Sequence, residues 1–421
     1  MSTEATAGEA PPDPPRGVHP AGQARPWWNL FPDIPVRCRE QAPGEAPRYA
    51  RRRFGGDTRE LSGAFGDLGT FIPHIVGAIT VVGMAPTGMF LSFGLFYLFS
   101  GAFYGLPIPV QPMKAASAVV LTQHLPPAAI AGAGLTVGAL LLILGVTGII
   151  ARLARLLPAT VAAGLQLGLG LALALLGIKL AMATPWLGGL VCLLLLALLG
   201  ARRWPGALLA LAAGIALGQI AGVSPPLPAL TFGLHLPALI IPTWGEVWQG
   251  FVAATIPQLP LTLTNAVIVT AALTRQLFPR EVHRVNETTL CLTSGIANLL
   301  AAPFGGYPMC HGAGGLAAHH RFGARTATAP AVIGIVMVLI GVFCGDQALA
   351  LVRVVPEAAL GALLLFSGID LAQAAKPQRF ERAELFVVLL MAALSIALNP
   401  AAAFALGLPL AVLAQKGRLN L

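Results

Sequence analysis

From Leu61 to Lys416 the chain is a close succession of apolar runs, with charge confined almost entirely to the gaps between them. No other feature restricts the fold as much. Runs of about 20 apolar residues match the hydrocarbon thickness of a bilayer when helical. Inside lipid every backbone N–H and C=O must be satisfied within the protein, which leaves only helices and closed barrels. A barrel needs strands that alternate apolar and polar residues, and these runs do not alternate. Composition points the same way: 56% of the 421 residues are apolar and 10% are charged, against about 25% charged in soluble domains. Gly (48) and Pro (35) are abundant, which suits helices that pack closely and are locally broken. The five cysteines, Cys38, Cys192, Cys291, Cys310 and Cys344, are scattered and form no CxxC pair, so no disulfide framework is expected.

The apolar runs number fourteen: 61–82, 85–106, 113–124, 127–150, 158–181, 184–200, 205–222, 250–274, 284–302, 309–320, 327–344, 356–373, 383–398 and 400–416. The third and tenth are short and, at about 1.5 Å per residue, reach only about half of a ~30 Å hydrocarbon core. Basic residues test the count. The loops after even-numbered runs, together with the two ends of the chain, hold 23 of the 26 Lys and Arg; the exceptions are Lys114, Lys179 and Arg353. The positive-inside rule then places both termini in the cytoplasm, in an integral protein of the cell's inner (plasma) membrane. Orientation accounts for the net charge of +9, and no nucleic-acid partner is expected. Residues 1–59 differ from the rest, with ten Pro, nine Arg and no long apolar run. They read as a mostly disordered cytoplasmic tail. A signal peptide would need an apolar h-region. Contact of Trp27, Trp28, Leu30 and Phe31 with the membrane interface is the weaker alternative.

The two short runs and their lead-ins read PIPVQPMKAASA (107–118) and PFGGYPMCHGAGGLA (303–317). Each is an extended Pro/Gly stretch, then Pro-Met, then a short helix of small residues. Each is third in a set of seven. Seven is odd, so the second set enters the membrane from the opposite side. The expected fold is therefore all-α, with fourteen segments in a seven-plus-seven inverted repeat: 60–222 and 246–417, joined by an external loop at 223–245. Residues 107–112 climb from the cytoplasmic side and 303–308 descend from outside. Both half-helix N-termini then meet near the midplane, each with unpaired N–H groups and about +0.5 of a charge. Together they make an intramembrane anion site. Two Pro-kinked structural helices are the bland alternative.

Several residues could carry the chemistry. Lys114 starts the first half-helix, just after Gln111, a hydrogen-bond donor, and Met113. A buried lysine needs an anionic partner, here either bound substrate or Asp67. Cys310 and His311 are placed in the first turn of the second half-helix, followed by Gly312, Ala313, Gly314 and Gly315. A neutral histidine can donate to an oxyanion, or it can simply pack. The glycines admit a ligand or a neighbouring helix to the backbone. Asp67, a carboxylate inside a span, is a functional candidate with Lys114, a proton or a cation as its partner. Thr70 lies one turn nearer the midplane, and Pro73 interrupts the helical ladder. Gln258, Thr262 and Asn265 share a helix face at i, i+4 and i+7, where they line the site or bond between helices. Cys310-His311 and His319-His320 have poor spacing for a metal. HExxH, GxSxG and P-loop patterns are absent, so no metal, cofactor or enzymatic activity is expected.

These stretches resemble the molybdate transporter family, relatives of the sulfate permeases. The matching motifs are ELSGAFGDLGTFIP (60–73), PIPVQPMKA (107–115), PQLPLTLTNAVI (257–268) and PMCHGAGGLAAHHRFGART (308–326). The resemblance implies uptake of the tetrahedral molybdate dianion, with a core domain (segments 1–4 and 8–11) and a gate domain (segments 5–7 and 12–14). Sulfate permeases usually add a cytosolic regulatory domain after the last span, and none is expected after Leu421. The expected function is secondary transport of an oxyanion, with a coupling proton as a candidate partner beside the lipid bilayer. Sulfate or a nucleobase on the same architecture, or an anion channel, are the alternatives. Charge and shape do not separate molybdate from sulfate, and the sequence leaves a homodimer open.

Overall fold

Proline and glycine set where the helices of this chain begin, break and end. A computed structural model describes residues 54–55, 58–150, 157–198, 206–228, 233–279 and 284–419. The tail assigned to disorder, up to residue 53, lies outside the described residues, as does the side chain of Thr70. Helices α1 (Thr58–Phe65) and α2 (Leu68–Thr80) are parted by a turn at Gly66 and Asp67. Helices α3 (Pro86–Tyr104) and α5 (Pro127–Thr147) open on proline, whose missing N–H is no loss at that position. They close on left-handed Gly105 and Gly148, with φ of 68° and 65°. Between them lie strand β1 (Gln111–Pro112) and the ten-residue helix α4 (Lys114–Gln123). Helices α6 (Ala159–Ala181), α7 (Pro185–Leu198) and α8 (Gly206–Ile220) follow.

Helix α9 runs unbroken for 34 residues, Trp244–Leu277. Its N-terminus is a capping box of Thr243 and Glu246. The exposed Glu246 carboxyl is held below the usual carboxylate range by the Thr243 backbone N–H and hydroxyl. Pro257 and Pro260 each remove a ladder hydrogen bond, and the helix widens into π turns on both sides of them, Phe251–Thr255 and Thr262–Val269. Then come α10 (Glu287–Ala301), strand β2 (Met309–Cys310), the ten-residue α11 (Ala313–Phe322) and α12 (Thr328–Leu339), which ends in a π turn. The chain finishes with α13 (Gly345–Arg353), α14 (Glu357–Gln373), α15 (Arg382–Ala397) and α16 (Pro400–Gln415).

Three differences from the sequence reading stand out. The first apolar run is two helices, because the chain turns at Gly66-Asp67. Helix α13 occupies part of the gap between runs 327–344 and 356–373. The expected all-α fold also contains one small sheet: β1 and β2 pair antiparallel, Gln111 opposite Cys310 and Pro112 opposite Met309.

Glycine brings helices together backbone to backbone. A Cβ on Gly94 of α3 would stand 2.8 Å from the Gly334 carbonyl oxygen of α12, and one on Gly334 the same distance from that of Gly94. Gly138 of α5 and Gly295 of α10 meet with reciprocal separations of 3.0 Å. Gly170 and Gly177 of α6 face Gly368 and Gly361 of α14. Without a hydrophobic drive between helices in lipid, such close approach supplies the association through dispersion. The outward faces carry large apolar side chains, among them Ile143, Leu193, Leu196 and Leu389, each more than half exposed. Apolar faces this extensive need lipid around them. Among the described residues five helices are long and apolar enough to cross a membrane, or six with the bent pair α12–α13 as one, and shorter apolar helices accompany them.

Candidate anion site

The small sheet sets the geometry of the site. Pro107, Pro109, Pro112 and Pro308 lack N–H groups and keep their neighbours extended. Extended backbone in a buried place must find partners. The N–H of Met113 donates to the Pro308 carbonyl at 2.9 Å. Asn298 of α10 clasps Met309, accepting from its N–H at 2.9 Å and donating to its carbonyl at 2.6 Å. The Ser100 hydroxyl of α3 donates to the Ile108 carbonyl at 3.0 Å. Because β1 and β2 are antiparallel, α4 and α11 leave from opposite ends of the pairing and run apart, each with its N-terminus toward the sheet.

Asp67 and Gln111 fill the space at the start of α11. The Gln111 Nε2 donates to Asp67 Oδ1 at 2.6 Å, and both side chains are buried. Glycine makes room for them: a Cβ on Gly312 would overlap Gln111 Oε1, and one on Gly315 would stand 2.6 Å from Asp67 Oδ2. Gly314 differs from both. Nothing lies within 4 Å of where its Cβ would be, and it is exposed between buried neighbours. The amides of Ala313, Gly314 and Gly315 are the orphan donors that every helix start presents.

Lys114, the first residue of α4, is half-buried. Among the described residues it has no carboxylate within 4 Å, so the pairing with Asp67 that the sequence left open does not form. It sits close enough to His74, Cys310 and Asp370 to act on each electrostatically.

Other expected residues take different places. Gln258 accepts the N–H of Ala116 in the first turn of α4 at 2.9 Å and donates to Thr262 at 2.8 Å, so it caps α4. Asn265, half-buried, lies within the π turn at Thr262–Val269. Cys310 and His311 are not in the first turn of the second short helix. Cys310 belongs to β2, and Gly312, with extended backbone, is the residue that caps α11. His311 is held on both ring nitrogens, Nδ1 by the Pro109 carbonyl and Nε2 by the Thr293 hydroxyl, each at 2.9 Å. Its ring packs against Phe96 and Tyr104. Met113 caps α4 and is fully buried. No group of three metal-ligating side chains forms among the described residues.

The first and last sequence motifs are stitched together. Buried Glu60 accepts the N–H groups of Arg325 and Thr326 at 2.9 and 3.4 Å. Burial raises its carboxyl above the usual range, and these donors pull it partly back. A Cβ on Gly66 would stand 2.6 Å from the Phe322 ring, so the turn after α1 lies directly on the end of α11. Sequence reasoning missed Asn298, His74, Ser117 and Tyr307. Each is a lone polar residue in apolar surroundings, and only its isolation could have marked it.

A family model described as "Molybdate transporter of MFS superfamily" matches residues 59–173 and 250–371, more than half of the chain and both strand–helix units. The chain belongs to the molybdate transporter family. Molybdate transporter 2 of Arabidopsis thaliana is 35% identical over 418 residues, covering 86% of this chain and 89% of the relative. Molybdate transporter 1 of the same plant is 32% identical, covering 84% and 87%. Molybdate transporter 1 of Chlamydomonas reinhardtii is 28% identical, covering 83% and 90%. In fold, this family member resembles the transmembrane domain of a cyanobacterium bicarbonate transporter, BicA, with a TM-score of 0.64 at 15% identity over 82% of this chain and 97% of that one. It also resembles SLC26A9, with a TM-score of 0.64 at 14% identity over 85% and 65%. Family and apolar helices together make this an integral membrane protein, and its membership of a transporter family supports anion transport.

Proposed function

We propose that this protein is a secondary active transporter that imports molybdate, holding the dianion between the N-termini of α4 and α11 at the middle of the bilayer. The β1–β2 pairing supports this reading, because both short helices start from one small buried sheet and turn their N-termini toward it. Charge supports it. Two helix ends supply about +0.5 each, and Lys114 adds one, so together they offset a dianion to a first approximation. An ionised Asp67 beside α11 would undo that balance, and a proton on Asp67 restores it. Proton and anion then bind together, which makes the carrier a proton symporter.

Packing supports the seven-plus-seven repeat. Shifting each segment by seven turns the α3–α12 pair into α10–α5, and maps α6–α14 and β1–β2 onto themselves. On this reading α1–α5 and α9–α12 form the core, α6–α8 and α14–α16 form the gate, and both termini are cytoplasmic. The test is uptake of radiolabelled molybdate into proteoliposomes at two pH values, with sulfate, tungstate and uracil as competitors. Uptake should be stronger with an inward proton gradient, blocked by tungstate, insensitive to uracil and lost in Lys114→Met. Uptake by Lys114→Met equal to wild type, or a preference for sulfate, would overturn the reading.

A further inference from the structure

A line of hydrogen bonds leaves the site region and ends on α14. The Tyr307 hydroxyl donates to Ser117 Oγ at 3.0 Å. Ser117 Oγ lies 2.8 Å from His74 Nδ1, and Ser367 Oγ lies 2.9 Å from His74 Nε2. Tyr307, Ser117 and His74 are fully buried. Ser117 accepts from Tyr307 and has one proton to give; where that proton goes to His74 Nδ1, the tautomer of the imidazole is set. A neutral imidazole then carries its own proton on Nε2 and donates it to Ser367. Aligned donors of this kind strengthen one another.

The two ends of the line are anchored differently. His74, Ser117 and Tyr307 sit on α2, α4 and the lead-in to β2, the elements that build the anion site. Ser367 belongs to α14, which is clamped on α6 through Gly361 and Gly368. If α14 slides, His74 keeps Ser117. Ser367 can turn its hydroxyl to the carbonyl one helical turn back, as serines in membrane helices do. A second acceptor is within one turn: Asp370, an exposed carboxylate, stands three residues along α14, about 60° round the helix from Ser367 and about 4.5 Å further along the axis.

We propose that His74 is a two-station latch, whose Nε2–H is held by Ser367 in one conformation and by Asp370 after a one-turn shift of α14 past the site-bearing helices. The inference rests on the core-and-gate reading above, and it makes His74 a positioning residue that never touches the anion. One-turn steps between packed elements are a known form of bistability.

Two double variants, made with the native cysteines replaced, test the latch in proteoliposomes: His74→Cys with Ser367→Cys, and His74→Cys with Asp370→Cys. Mercuric ion is the bridging reagent. Both pairs should cross-link, and saturating molybdate should change the ratio of the two yields by roughly threefold or more, the scale of one hydrogen bond. Either bridge should stop uptake, and a reducing thiol should restore it. A 74–370 pair that never bridges, or a bridged 74–367 pair that transports at the full rate, would overturn the latch. Should the cysteine variants fail to fold, Ser367→Ala and Asp370→Asn should each change turnover by about three- to tenfold. Ser367→Thr, which keeps the hydroxyl, should stay near wild type, and molybdate affinity by calorimetry should be unchanged in all three. Wild-type turnover in both Ser367→Ala and Asp370→Asn would again refute it. Absence of molybdate uptake by the wild type would defeat the transport reading instead.

Discussion

Gly314→Ala separates a binding role from a structural one, because the two predict opposite signs. Gly314 is the second residue of α11, and no atom lies within 4 Å of the added methyl. Alanine in a helical position gains roughly 0.5–1 kcal/mol over glycine, so the variant should be slightly more stable than wild type. The same methyl would occupy the open space where the helix amides face the anion. Overpacking of a close-fitting place costs about 1–3 kcal/mol, so molybdate should bind roughly 5- to 150-fold more weakly. Gly315→Ala is the contrast. Its methyl would meet Asp67 Oδ2 at 2.6 Å, Gln111 Nε2 at 2.8 Å and Pro109 Cβ at 2.9 Å, so the Asp67–Gln111 pair must move. That variant should lose about 1–3 kcal/mol of stability along with affinity. Thermal unfolding in detergent and binding calorimetry on monodisperse protein read both quantities. Wild-type affinity in Gly314→Ala would place the anion elsewhere and refute the reasoning.

Four further outcomes are expected. Asp67→Asn should abolish pH-dependent accumulation in proteoliposomes while leaving some anion exchange; an unchanged pH profile would reduce Asp67 to the partner of Gln111. Gln258→Ala leaves the buried Ala116 N–H without its acceptor and should cost about 1–3 kcal/mol in thermal unfolding. His311→Ala empties the space between Phe96 and Tyr104 and should cost about 2–4 kcal/mol, yet leave molybdate affinity close to wild type, since neither ring nitrogen is available to substrate. A reporter fused at Leu421 or within 275–284 should be cytoplasmic and one within 224–245 external; an external C-terminus would break the fourteen-segment count.

The long helices and the two short ones were legible because apolar length and Pro-Met punctuation are local signals. Non-local pairing is not local. The lead-ins read as extended, but nothing within residues 107–112 announces that Gln111 lies opposite Cys310. The turn at Gly66-Asp67 was hidden by the continuous apolar character on both sides. Asn265 lies in a π turn, and counting at 3.6 residues per turn does not foresee one. His311 looked like a ligand donor from its neighbours in sequence, whereas Pro109 and Thr293, which hold it, come from elsewhere in the chain. His74 follows the first motif immediately, yet a single histidine carries no spacing to read. Its meaning lies in Ser367, almost three hundred residues on.

The pairing of β1 with β2 bears on how the protein is made. The strand at Gln111 waits for a partner roughly 200 residues further along the chain. At about 5–20 residues per second of synthesis, that wait lasts on the order of 10–40 seconds. Through this interval the extended stretch before α4 has backbone groups that lipid cannot satisfy. Neither half of the molecule can assemble the β1–β2 sheet alone, so a ribosome that stops before Met309 releases a chain whose first short helix has no counterpart. Insertion of the second half is thus the step that completes the fold, and the membrane must shelter an unfinished first half until then.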